Sequence, residues 1–296
     1  MEIAELIVRI RFIRSTDKRL QQPPRQYFPF KLRRATKPTD EELLLSLDID
    51  DDFDVPTDER GELIGWFYTG VGQLKHGVFR RSDGSYYFIF NDVDGRPFFR
   101  MLCNNDFRCN TLALGRLDIP PYYAFNNAIM IAYAFAAASR HCLLMHSSIV
   151  LFRDKAYCFL GKSGTGKSTH SSLWLKNFAG TRLLNDDNPV FRIEGDTARV
   201  FGSPWSGKTP CYRQASAEIA AVVMLRQASE NKLEQMKPVD ALAAMLISCA
   251  SMMWDKKTYD QLLHTMSELI RLVGVHRLSC RPTDEAALLS FNSFVK

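Results

Sequence analysis

No Cys-x-x-Cys pair occurs in this chain: Cys103, Cys109, Cys142, Cys158, Cys211, Cys249 and Cys280 are scattered and odd in number. That spacing supplies neither a disulfide framework nor a zinc site, and it suits a reducing cytoplasm. A long apolar run is also missing. MEIAELIVRIRFI interleaves charged and apolar residues, which reads as a strand and not as a signal peptide. PPYYAFNNAIMIAYAFAAASRH approaches the length of a spanning helix, but Asn126 and Asn127 interrupt it. It falls short of the ~20 apolar residues a bilayer requires, so it reads as a buried helix with no membrane partner. Charge of one sign is scarce as well: a formal net charge of +5 over 296 residues gives no general attraction to nucleic acid. No internal repeat is present. What remains, at 46% hydrophobic and 24% charged residues, is enough to bury a core in one large domain or two smaller ones.

Charge is unevenly placed along the first part of the chain. Basic residues dominate up to about Lys37, and acids take over between positions 40 and 62. DIDDDFDVPTDE, from Asp48, puts Asp50, Asp52 and Glu59 at the third, fifth and twelfth positions of a calcium loop. Phe53 stands where that loop's sharp turn demands glycine, so the segment reads as a solvated acidic loop. QQPPRQYFPFKLRRATKP mixes aromatics with arginines and reads as a surface arm, with polyanion binding as the alternative. From 63 to about 117, strands alternate with turns, and Ser-Asp-Gly and Asp-Gly are hairpin signals of a small antiparallel domain. The expected division is a β-rich module over 1–120, serving recognition, and an α/β nucleotide-binding domain over 121–296. Within the latter, LLMHSSIVLF, KAYCFL, RLLND, NPVFRIE, TARVF, AEIAAVVMLRQ and VHRLSC read as strands, with later helices near 238–254, over 258–273 and from 282.

GKSGTGKST lies between an apolar strand and a helix. Its residues Gly161, Lys162, Ser163, Gly164, Thr165, Gly166, Lys167, Ser168 and Thr169 meet G-x-x-x-x-G-K-[ST] at every fixed position. The glycines let backbone N–H groups turn toward phosphate, and the start of the following helix adds partial positive charge. Lys167 is placed to reach the β and γ phosphates of ATP, and the Ser168 hydroxyl to ligate magnesium. Downstream, LLNDD closes a strand with Asp186 and Asp187, where ligands of open α/β sheets collect. One carboxylate can hold the metal and the other can take the proton of an attacking hydroxyl; a plain turn before Asn188-Pro189 is the alternative. His146, ahead of the loop, either orients such carboxylates or is a hydrogen-bonded core residue. His170 reads as packing or surface. GSPWSGKTPCYRQ, with Lys208 and Arg213, reads as a loop closing over the triphosphate, its cations meeting charge on the transferred group, or as an ordinary long turn.

His146, the loop from Gly161 to Ser168, and Asn185-Asp186-Asp187 together resemble the kinase domain of HPr kinase/phosphorylase, and more broadly the phosphoenolpyruvate carboxykinase-like nucleotide fold, over roughly 143–201. The resemblance implies an ATP- and magnesium-dependent kinase acting on a serine-type hydroxyl of a protein, peptide or small molecule. It implies Asp187 as general base, Asp186 beside Ser168 at the metal, and His146 as partner of the base, with the two aspartate roles open to exchange. Lasso-peptide kinases look similar in this core, so the acceptor does not follow from it. Ring-like homo-oligomers occur in the resembled family. The family's glycine-rich arginine signature is not recognisable downstream, so neither the reverse phosphorylase reaction nor recognition of HPr is implied. Carboxykinase activity is not expected from so short a chain. Two other classes stay open: a non-catalytic ATP-binding regulator, and a nucleic-acid-associated ATPase using the basic arm.

Overall fold

The alternation seen at the start of the sequence, expected as one strand, folds as a short antiparallel hairpin, and it opens the first of two units. The computed structural model describes residues 1–14, 20–69, 74–92, 94–114, 121–207 and 209–295, and it divides into Met1–Ala136 and Ala137–Lys296. The first unit holds β1 (Glu2–Ile3), β2 (Leu6–Arg14), β3 (Leu43–Asp50), β4 (Glu62–Thr69), β5 (Leu74–Arg80), β6 (Tyr86–Asn91), β7 (Pro97–Cys103), β8 (Cys109–Ala113) and the helix α1 (Pro121–Ala136). Its strands form one sheet in the order β1-β2-β3-β8-β7-β6-β5-β4. From β4 to β8 it is an antiparallel meander turned by Gly84 and its like, whereas β2 and β3, and β3 and β8, run parallel.

The two charge blocks turn out to be neighbours. Register sets Arg11 opposite Asp48 and Arg14 opposite Asp50, and each guanidinium donates twice to its carboxylate at 2.6 to 2.9 Å. The acidic stretch therefore begins as a strand and not as a solvated loop. Exposed pairs of this kind contribute ~0–1 kcal/mol each, so they favour one strand register more than they stabilise the sheet. The aromatic and basic segment is likewise anchored and not a free arm. Tyr27 and Phe30 are buried, and the Tyr27 hydroxyl donates to Asn126 Oδ1 at 2.9 Å while its ring meets Phe125 edge-on. Asn126, which breaks the apolar run of α1, thus has a partner inside the unit. Among the described residues no helix is long and apolar enough to cross a membrane.

The second unit contains β9 (Cys142–Leu144), β10 (Ser147–Phe152), β11 (Lys155–Leu160), β12 (Arg182–Asp187), β13 (Val190–Glu194), β14 (Thr197–Phe201), β15 (Ser216–Gln227), β16 (Lys232–Gln235) and β17 (His276–Cys280). The helices are α2 (Lys167–Asn177), α3 (Pro238–Leu246), α4 (Lys256–Val273) and α5 (Asp284–Phe294). The sheet order is β12-β10-β11-β15-β14-β13-β9, with β17 on β15 and β16 on β17. β11 and β15 are apolar on both faces because both are covered. Cys158, Leu160, Val222 and Met224 join the core with Met245, Leu262 and Met266, while Tyr157, Phe159, Val223 and Leu225 join the one with Trp174 and Ala287.

LLMHSSIVLF, expected as one strand, is two. The register of β9 on β13 carries without slip into that of β10 on β12, but the ladder is interrupted where His146 and Met145 face Asn188 and Pro189. Proline has no N–H to give to that ladder. Met145 N–H still donates to the Pro189 carbonyl at 3.3 Å, but the chain beside it bonds to the segment after α3: His146 N–H donates to the Ser248 carbonyl at 2.6 Å, and Ala250 N–H to the Leu144 carbonyl at 3.0 Å. This pairing also ends α3 at Leu246, well short of the expected 254.

Candidate functional site

Strand direction gathers the site. β10 is antiparallel to both β11 and β12, so its first residue, Ser147, pairs with Leu160 on one side and Asp187 on the other. The residues just outside these strand ends, His146 and Gly161, and Asp187 itself therefore lie within two strand spacings, ~10 Å. β15, parallel to β11, brings its last residues to the same edge, and Gln227 Nε2 donates to the Gly164 carbonyl at 3.1 Å.

The loop from Gly161 to Gly166 turns the end of β11 into the start of α2. Gly166 occupies the N-cap with φ of 100°, a left-handed conformation that costs glycine little and other residues ~1 kcal/mol or more. Thr165 closes the turn by donating from both N–H and Oγ1 to the Lys162 carbonyl, at 3.2 and 2.8 Å. The Lys167 ammonium is buried and curls back onto the loop, donating to the carbonyls of Gly161 at 2.9 Å and Lys162 at 3.1 Å. Burial pushes its pKa below the ordinary lysine value, against the opposing pull of Asp187 and Asp186.

Facing the loop, His146 Nδ1 lies 2.8 Å from Asp187 Oδ1. Lys167, Ser168, Thr169, Asp186, Asp187 and His146 all line one cavity of about 480 Å³, as do Ser163, Gly164 and Gly166 of the loop. The exposed Lys162 and the half-buried Thr165 line instead a second cavity of about 490 Å³ across the loop, which also carries Arg226 and Arg277.

Asp186 and Asp187 are held from behind. Asn185 is fully buried; its Nδ2 donates to Ser203 and Trp205 carbonyls at 3.3 and 3.2 Å, and its Oδ1 accepts from Asp187 N–H at 3.1 Å. The Ser203 hydroxyl donates to the Asn188 carbonyl at 2.6 Å. The loop after β14 then passes over the aspartates: Ser206 forms an isolated bridge with Asp187, and Gly207 N–H donates to the Asp186 carbonyl at 3.0 Å. A Cβ on Gly207 would sit 2.8 Å from that carbonyl oxygen and 3.5 Å from Asp187 Cβ, so only glycine allows this approach. Gly207 and Thr209 join the cavity wall.

Arg213 does not line this cavity. It is exposed, and its carbonyl packs against Gly202. Lys208 lies outside the described residues. His170 is buried packing, its Nε2 3.0 Å from Ser290 Oγ. Gly207, Gln227 and the Asn185–Ser203 link carry no local motif; the one sequence signal for Gly207 is a glycine between two polar residues in a loop after a strand.

Neither a protein-family model nor a curated protein matches the chain. Among solved structures, the HPr(Ser) kinase/phosphatase from Coxiella burnetii shows a weak similarity, with 12% identity, a TM-score of 0.28, and 50% of this chain and 90% of that one covered.

Proposed function

We propose that the second unit is an ATP- and magnesium-dependent kinase that phosphorylates a serine-type hydroxyl of a protein, peptide or small molecule. The observation that carries this reading is the His146–Asp187 pair, 2.8 Å apart, in the same cavity as Lys167 and Ser168. A phosphate cradle alone is common to many nucleotide-binding proteins; a histidine-supported carboxylate facing it supplies a base for a hydroxyl acceptor.

Asp187 takes the acceptor's proton, and His146 holds the carboxylate in one orientation. The loop amides and the start of α2 bind the phosphates, and Lys167 exchanges its loop carbonyls for phosphate oxygens. The donor set suits magnesium: the Ser168 hydroxyl and the Asp186 carboxylate are oxygen ligands on one cavity wall, and no side-chain partner occupies either among the described residues. When bound, the metal would neutralise charge on the phosphates. The cavity across the loop, with Arg226 and Arg277, leaves room for the nucleoside.

The test is incubation of the protein with γ-labelled ATP and magnesium in a cell extract, followed by identification of the labelled species. Label on a hydroxyl, lost in Asp187→Asn while ATP still binds, supports the kinase. ATP binding with no transfer to any acceptor would instead make the protein a nucleotide-responsive regulator.

A further inference from the structure

The hydroxyls lining the cavity fall into two groups. Ser163, Ser168 and Thr169 stand on the loop and on the first turn of α2, beneath the position of the phosphates. On the facing side, the Ser147 hydroxyl is engaged, donating to the Met145 carbonyl at 3.1 Å. In the loop over the aspartates, the Ser206 hydroxyl, which does not line the cavity, donates to the Thr209 carbonyl at 2.7 Å and accepts from Cys211 N–H at 3.2 Å. Thr209 is different. It is exposed, it lines the cavity, and its hydroxyl makes no hydrogen bond among the described residues.

The backbone delivers Thr209 to that wall. Ser206 is bridged to Asp187, Gly207 N–H is bonded to the Asp186 carbonyl, and Ser206 Oγ caps Thr209 itself. A hydroxyl of this same chain thus lines the cavity that the carboxylates and the loop share, the cavity in which an acceptor must stand for in-line transfer.

We propose that Thr209 is an intramolecular phosphate acceptor of this site; the inference rests on the kinase reading above. Asp187 takes the Thr209 hydroxyl proton as Oγ1 bonds to the γ-phosphorus of ATP. The bond from that phosphorus to the β–γ bridging oxygen breaks, and ADP leaves with the electron pair. The resulting phosphothreonine carries a charge of roughly −1.5 to −2 at neutral pH. Set beside Asp186 and Asp187, it repels the next triphosphate, so the modification limits the site's own turnover.

The experiment is incubation of the full chain with γ-labelled ATP and magnesium alone, with peptide mapping by mass spectrometry. In parallel, ATP binding is measured for the wild type and for Lys167→Ala. Expected is one phosphoryl group per chain on Thr209, formed at a fractional rate independent of protein concentration. It is lost in Thr209→Val and Asp187→Asn and kept in Thr209→Ser. Label absent, or on another residue, with ATP binding intact and dependent on Lys167, overturns the Thr209 assignment and leaves the kinase reading standing. A rate proportional to protein concentration overturns the intramolecular step. No ATP binding at all overturns both.

Discussion

His146 and Asp187 are joined side chain to side chain, Nδ1 to Oδ1 at 2.8 Å, across the gap that Pro189 leaves in an otherwise continuous antiparallel ribbon. The histidine gains freedom to reach the carboxylate because its own backbone is bonded elsewhere, to the Ser248 carbonyl. Asp187→Asn keeps the shape and removes the proposed base, so phosphoryl transfer is expected to fall by roughly 10²–10⁴-fold with ATP binding spared. His146→Ala should cost less and alter the pH–rate profile, since it removes an orienting partner and not the base. Full transfer by Asp187→Asn would refute the assignment.

Lys167 tests the cradle in a way that separates function from stability. Because burial lowers its pKa below the ordinary 10.5, the folded chain holds this proton less tightly than the unfolded chain does. Stability therefore rises with pH through the window below 10.5, and the burial penalty is fully present at neutral pH. Lys167→Met should leave the Tm of the nucleotide-free protein equal or higher, flatten its rise toward alkaline pH, and abolish ATP binding. Thermal melts across pH, with and without Mg-ATP, check all three.

Gly207→Ala places a methyl group 2.8 Å from the Asp186 carbonyl oxygen. Relief requires the loop or the aspartates to move, at a cost of ~1–3 kcal/mol. Transfer should drop by about tenfold or more with nucleotide affinity little changed, a split that single-turnover kinetics would resolve.

Asn185→Ala leaves the Ser203 carbonyl and the Asp187 N–H without this partner beside a fully buried position, while the Trp205 carbonyl still accepts from Asn188 N–H and Ser203 Oγ. The expected loss is ~1–3 kcal/mol of stability per unsatisfied group, less any relaxation. Urea unfolding would measure it. A variant as stable as the wild type, with unchanged transfer, would show that this link holds nothing in place.

Acid should destabilise the second unit through His170. Burial lowers its pKa from 6.5 to about 4, so below 6.5 the unfolded chain takes up a proton that the folded chain refuses. The stability this gives is complete above 6.5 and is lost as pH falls toward about 4, at a limit of ~1.4 kcal/mol per pH unit. His170→Gln, which still offers Ser290 a hydrogen bond, should flatten that part of the stability–pH curve.

The strand–loop–helix around GKSGTGKST was legible in the sequence because its requirements are local: two glycines, a lysine and a serine at fixed spacing, between an apolar run and a helical one. Asp186 and Asp187 were legible as a strand end. What could not be read locally was pairing. Arg11 and Asp48 look like members of separate charge blocks until β2 and β3 lie side by side, and His146 looks like a strand interior until Pro189 stands opposite the break. Arg213 has the right charge in a plausible loop, yet it is not among the residues that line the cavity of the loop and the aspartates. Gly207 matters through the backbone atom it approaches, which no spacing reveals.

The register of that ribbon, continuous from the Cys142–Arg192 pair to the Ile149–Asn185 pair before it shifts by one residue at Val150, acts as a selector. Ser147 is aligned with Asp187 and Ser148 with Asp186, and successive strand residues face opposite ways. Losing or gaining one residue within either arm would move the neighbouring carboxylate into line with Ser147 and turn the arm's apolar side outward. Insertions in the turns at 153–154 or 195–196 leave the alignment alone. Tolerance of length change in this unit should therefore be sharply uneven, high at those tips and at the bulge beside Val150, and low in the paired stretch that aligns Ser147 with Asp187.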